Sequence, residues 1–106
     1  NISIRYVEPD QNSLMSWAPQ EMFSFVLFYK QEKTEAANKK AEKWTQELIQ
    51  SALNLHGVYY LPYQLHATQN QFRSAYPRVD ELSKLKQNLD PKGKFQNELL
   101  NKYLRR

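Results

Sequence analysis

Between Tyr59 and His66 the chain places Tyr59, Tyr60, Pro62, Tyr63, Gln64 and His66, its densest grouping of side chains able to take part in chemistry. A tyrosine hydroxyl both donates and accepts a hydrogen bond, and histidine ordinarily titrates near neutrality, so Tyr60, Tyr63 and His66 could line a polar cleft and handle a proton. A tyrosine with an ordinary pKa of about 10 is a poor base at neutral pH unless a cation lowers it. The candidate cation is Arg5, an obligate charge with five donors, which shares a strand face with Ser3. A plainer account treats the tyrosines as core and rim packing, each hydroxyl seeking a partner, and Arg5 as a surface ion-pair residue. Trp17 and Trp44 read as packing.

Other chemistries are poorly served. The chain has no Cys, which removes disulfides, thiolate metal sites and a cysteine nucleophile together and leaves the redox compartment open. His56 and His66 stand ten apart with no carboxylate at a metal-ligand spacing such as H-E-x-x-H, so no metal is expected. His56 suits the negative end of a helix. Two glycines cannot supply a G-x-G-x-x-G loop or a Walker A motif, so nucleotide binding by this chain alone is not expected.

The elements that would position these residues follow from hydrophobic period. Ile2, Ile4 and Tyr6 alternate with Ser3, Arg5 and Val7, the pattern of a strand with one buried face, and Pro9 should stop it. Residues 22–29 are aromatic and β-branched and predict a second, central strand, antiparallel to the first. Residues 34–56 predict the long helix: Ala37, Ala41, Trp44, Leu48, Ala52 and Leu55 recur at three or four, with Ile49 widening the stripe. Thr34 is the expected N-cap and Gly57 the expected C′ residue. Residues 58–61 read as a short third strand reached by a β-α-β crossover and ended by Pro62. Thr68 to Gln71 has the form of a capping box leading into a helix over 72–76 that Pro77 ends. A further helix starts near Val79 and stops at a turn of Asp90, Pro91, Lys92 and Gly93, and residues 97–104 form the last. The expected architecture is α+β, a small antiparallel-type sheet of about three strands on one long helix, with short C-terminal helices.

At 106 residues this is a single domain, and 41% hydrophobic with 13% aromatic residues argues for a packed core rather than disorder. No apolar run nears the roughly 20 residues of a membrane span. The net charge of +4 gathers towards the C-terminal end, from Lys84 to Arg105 and Arg106, but interleaves with Leu85, Leu89, Leu99 and Leu100 as on a solvated helix face. Nucleic-acid binding is therefore a weak third reading. The chain opens at Asn1 directly in a strand pattern, without a signal sequence, and is expected to be a piece of something longer. A cytoplasmic location is the default expectation.

Tyr76, Pro77 and Arg78, then Leu85 and Lys86, Asp90 and Pro91, Lys94 and Phe95, and Asn97, resemble in order the C-terminal signature of FAD-linked oxidoreductases of the vanillyl-alcohol-oxidase (PCMH) type. Residues 3–7, followed by Trp17, Ala18 and Pro19 and the aromatic strand, are similar to the substrate-domain strands of aldonolactone and alditol oxidases. Tyr60, Leu61 and Pro62 resemble the Y-L-P-H-Y stretch of cytokinin dehydrogenases and, more loosely, berberine-bridge-type oxidases, with Tyr63 where the motif has His. The resemblance spans nearly the whole chain. It implies the C-terminal part of a substrate domain whose FAD-binding domain lies elsewhere, hydride transfer from a sugar lactone, polyol or related alcohol or amine to the flavin, and no FAD binding by this chain alone. Carried over, Tyr63 and Tyr60 would be catalytic, Arg5, Ser3 and His66 substrate-binding, and Tyr60 and Asn97 cofactor-binding. Ser3 replaces the acidic partner that alditol oxidases hold two residues before the arginine, and Tyr60 to Tyr63 replaces their H-W-x-K motif. The alternative is a free-standing interaction module using its sheet face or basic tail.

Overall fold

Strands β1 (Ile2–Val7) and β2 (Met22–Leu27) pair antiparallel, from Ile2 opposite Leu27 to Val7 opposite Met22. Cross-strand partners point the same way. Ile2, Ile4 and Tyr6 thus share one face with Phe23, Phe25 and Leu27, while Ser3, Arg5 and Val7 share the other with Met22, Ser24 and Val26. The computed structural model describes residues 1–104. Arg105 and Arg106, counted above into the basic end, lie outside the described residues.

Between the strands, the Asp10 carboxylate accepts the Asn12 and Ser13 amides at 3.0 and 3.1 Å, and the Asp10 amide reaches the Ala18 carbonyl at 2.8 Å, folding the connection onto buried Ala18. Helix α1 (Glu35–Asn54) begins where Thr34 accepts the Ala37 amide at 3.1 Å. Its end differs from expectation. His56, at φ 59°, takes the left-handed C′ place, and Gly57 is the next residue, donating to the Ala52 carbonyl at 2.7 Å while His56 donates to that of Leu53. This six-to-one and five-to-two pair is a Schellman motif. Gly57 is needed for approach rather than for φ, because a Cβ there would stand 3.0 Å from the Ala52 oxygen. The buried stripe of α1 is also narrower than the periodicity implies. Ala41 and Ile49 are buried, whereas Leu48 and Leu55 are exposed.

No third strand forms at 58–61, and no crossover returns to a sheet, so the ribbon has two strands. The segment is extended coil whose Tyr59 carbonyl accepts from the Tyr76 hydroxyl instead of a ladder amide. The architecture is α+β, with four helices among the described residues. α2 (Gln69–Ala75) carries the expected capping box: Thr68 Oγ1 accepts the Gln71 amide at 3.2 Å and Gln71 Oε1 accepts the Thr68 amide at 3.1 Å. α3 (Val79–Leu89) stops at Asp90, whose carboxylate accepts the amides of Lys94 and Phe95 at 2.8 and 2.9 Å and pairs with Lys86, while Gly93 turns at φ +62°. α4 (Glu98–Tyr103) is capped by Asn97, which accepts the Leu100 amide at 2.8 Å.

The core sits among the helices. Phe72 stacks on Tyr103 at 4.1 Å between centroids, and Ile49, Ala75, Tyr76 and Val79 close around them. Gln71 ties α2 to α1 through its amide, 2.9 Å from the Gln46 carbonyl, and Lys102 of α4 donates to the Leu65 carbonyl. The ribbon contributes nothing to this cluster. Its apolar face, expected to be buried, is uncovered: Phe23 is 69% and Phe25 62% exposed, with Ile2, Ile4, Tyr6 and Leu27 all exposed beside them. No helix among the described residues is long and apolar enough to cross a membrane.

Candidate functional site

The connection between the strands brings Trp17 to the segment after α1. Its ring meets Tyr60 edge-on at 4.9 Å, and Tyr60 in turn meets Tyr63 edge-on at 5.5 Å. The two predicted tyrosines therefore stand together, both rings largely exposed and neither hydroxyl bonded among the described residues. Pro62 lies in the turn at residues 61–62 that sets their relative position. Trp17, read from sequence as packing, is the third member of this cluster, and only the fold of the connection reveals it.

Tyr59 points the other way, into the core. Its ring lies edge-on to Tyr76 at 5.7 Å, and its hydroxyl is buried beside that of Tyr103 without a well-formed hydrogen bond. Burial, and after it the neighbouring Tyr103 and Tyr76 hydroxyls, push its pKa well above the ordinary tyrosine value. Tyr76 is raised by burial alone. Tyr103 donates to the Ala67 carbonyl at 2.9 Å. These three are structural hydroxyls, held in their protonated form.

His66 is half-buried, and its backbone is committed: the carbonyl accepts from Gln46 Nε2 at 2.8 Å and the amide donates to Gln64 at 2.9 Å. Ser3 and Arg5 lie on the polar face of the ribbon, with Ser24 directly across from Arg5. No hydrogen bond or ion pair among the described residues joins Arg5 to Tyr60 or Tyr63, so the structure does not bring the cation onto the tyrosines as the sequence reasoning expected. Asn97 spends its side-chain oxygen on capping α4, which leaves only its NH₂ for a ligand. Several residues of the C-terminal signature have structural work of the same kind. Tyr76 anchors the core, Arg78 pairs with Glu81 at 2.9 Å, and Asp90 organises a turn. Phe95 does not, being 76% exposed.

Trp17, Tyr60 and Tyr63 offer ring edges and two unengaged hydroxyls, but nothing in the sequence forms a phosphate-cradling loop. Among the described residues no three His, Asp or Glu side chains gather as a metal site would require. Compared with known proteins, the chain matches no family model, no curated protein and no solved structure.

Proposed function

We propose that this chain is the C-terminal, substrate-side part of an FAD-linked oxidoreductase, one wall of a cleft whose flavin is held by another part of the same protein. The observation that carries the reading is the uncovered apolar face of the ribbon, six large side chains wide, on a two-stranded sheet that is marginal by itself. Such a face belongs against other protein. The other face of the ribbon, where Ser3 and Arg5 are exposed and Ser24 half-buried, and the Trp17, Tyr60 and Tyr63 cluster are then the surfaces left for a small polar substrate. The flavin supplies the hydride acceptor; Tyr63 or Tyr60 takes or stabilises the hydroxyl or amine proton, and Arg5 orients the substrate.

A free-standing interaction module is the second choice, because a complete module of this size would not leave Phe28, Phe95 and Leu55 uncovered in addition to the ribbon face. The natural protein containing these residues should purify with bound FAD, while the 106-residue chain binds none. In that flavoprotein, Tyr63→Phe should slow flavin reduction by roughly 10²-fold with FAD content unchanged. Unaltered reduction removes Tyr63 from the site, and a natural protein without flavin removes the oxidoreductase reading altogether in favour of the module.

A further inference from the structure

Residues 58–61 have the composition of a strand and none of a strand's pairing. Among the described residues the amides of Val58, Tyr59, Tyr60 and Leu61 donate to nothing, and of their carbonyls only that of Tyr59 accepts, from the Tyr76 hydroxyl. Val58, Tyr59 and Leu61 are nevertheless half-buried against the core, where an unpaired backbone group is costly. In an extended chain the N–H and C=O of one residue point to the same edge, and successive residues alternate edges. Because the Tyr59 carbonyl turns to Tyr76, the groups of Val58 and Tyr60 face the other way. They make two donor–acceptor pairs about 7 Å apart, the repeat that a strand offers to a neighbour.

Val58 also borders a cleft of about 760 Å³ between the end of α1 and α2. The chain holds 15 Lys and Arg and 11 Asp and Glu, yet none of them lines this cleft. Its polar groups are the neutral side chains of Gln50, Asn54, Asn70 and Ser74, with His56, and those of Asn70 and Ser74 have no partner among the described residues. Amides and hydroxyls of this kind can both donate to and accept from a further stretch of main chain.

We propose that residues 58–61 receive an extended, uncharged segment of polypeptide from the part of the protein that holds the flavin, which pairs with Val58 and Tyr60 as an added strand and lies along the neutral cleft. Main-chain hydrogen bonds supply the attachment. The missing charge restricts the residues that enter the cleft, because a carboxylate or ammonium covered there would find no counterion. A helix cannot serve as the occupant, since its main-chain groups are spent within itself. The pairing fixes Tyr60, and through its ring contacts Trp17 and Tyr63, against the flavin-holding part. This rests on the chain being one part of a larger flavoprotein.

Residue-by-residue amide hydrogen exchange tests the pairing with or without a flavin. In the isolated 106-residue chain the Val58 and Tyr60 amides should exchange within about 10-fold of the rate of an unpaired amide. In the protein that contains both parts they should slow by about 10²-fold or more, and Tyr59 and Leu61, on the other edge, should slow less. Uniform slowing across 58–61 would signal burial without pairing and overturn the strand. Val58→Pro, which removes a donor, should undo the protection at Tyr60, and Val58→Ala, which keeps it, should not; equal effects of the two also overturn it. Protection already present in the isolated chain and rising with its concentration would assign the edge to a second copy and overturn the proposed occupant. Protected Val58 and Tyr60 amides in a natural protein without flavin keep the added strand and drop the oxidoreductase reading. Unprotected ones in a flavin-loaded protein do the reverse.

Discussion

Tyr59 and Tyr76 carry hydroxyls of opposite worth to the fold. The Tyr76 hydroxyl is the donor to a half-buried backbone carbonyl, so Tyr76→Phe should cost about 1–3 kcal/mol, measured by urea denaturation. The Tyr59 hydroxyl is buried beside that of Tyr103 without a well-formed hydrogen bond, so Tyr59→Phe removes a poorly met desolvation cost and should leave stability unchanged or higher by up to about 1 kcal/mol. A large loss from Tyr59→Phe would mean its hydroxyl is bonded in solution. Both groups, with Tyr103, have pKa values raised by burial. The folded chain then keeps protons that the unfolded chain sheds above about pH 10, and stability falls as the pH rises past that point, being flat below it. In an alkaline titration, phenolate absorbance from these tyrosines should appear together with loss of helical circular dichroism, not ahead of it. Asp90 works in the other direction. The Lys86 ammonium, followed by the Phe95 and Lys94 amides, holds its carboxyl at about 2, so the turn it organises is stabilised above about pH 4 and loses that support as the pH drops towards 2. Asp90→Asn should flatten this acid limb of the stability profile.

The end of α1 shows how an element is decided by more than its residues' propensities. Replacing His56 with Gly puts the residue with no left-handed penalty at C′ and should add about 0.5–1 kcal/mol, whereas Gly57→Ala presses a Cβ against the Ala52 oxygen and should cost about 1 kcal/mol or more; thermal melts of the two variants distinguish them. From sequence the glycine was assigned to C′, one place early, because the rule prefers Gly at positive φ and the chain places it where approach, not φ, is the constraint. Signals that are local proved legible: the Thr34 cap, the capping box of Thr68 and Gln71, and the Asp90 to Gly93 turn are each closed by residues within a few positions. Signals that depend on a distant partner did not. Residues 58–61 have a strand's composition, but no neighbouring strand reaches them, so Tyr59 bonds to a side chain of α2's C-cap and the aromatic rings pack instead of pairing. Local aromatic density groups Tyr60 and Tyr63, which do meet, with Tyr59, which turns into the core, while Trp17 joins them only through the shape of a loop.

At the scale of the whole molecule the sheet and the helical core are unequal partners. The radius of gyration is 15.1 Å, against roughly 13 Å for a compact domain of this length, and the extents of 42 × 36 × 20 Å describe a flattened body. The ribbon meets the helices mainly at one end, where Leu27, Phe28 and Tyr29 border a groove of about 380 Å³ facing Trp44 and Leu48, with Tyr29 edge-on to Trp44 at 5.2 Å. A stability measurement on the chain alone should therefore report the helical core and be nearly blind to the apolar face. Phe25→Lys should leave the denaturation midpoint of the isolated chain within about 0.5 kcal/mol of the original, because an exposed side chain forfeits little burial. The same change should reduce hydrophobic-dye binding and concentration-dependent association, since it breaks the apolar patch. If another part of the protein covers that face, as proposed above, the outcome reverses. With the face covered, a lysine there would bury an unpaired charge and should lower stability by several kcal/mol or prevent assembly. A chain that is itself destabilised by Phe25→Lys would have found cover for the ribbon within its own residues, and the wall would then be a closed domain.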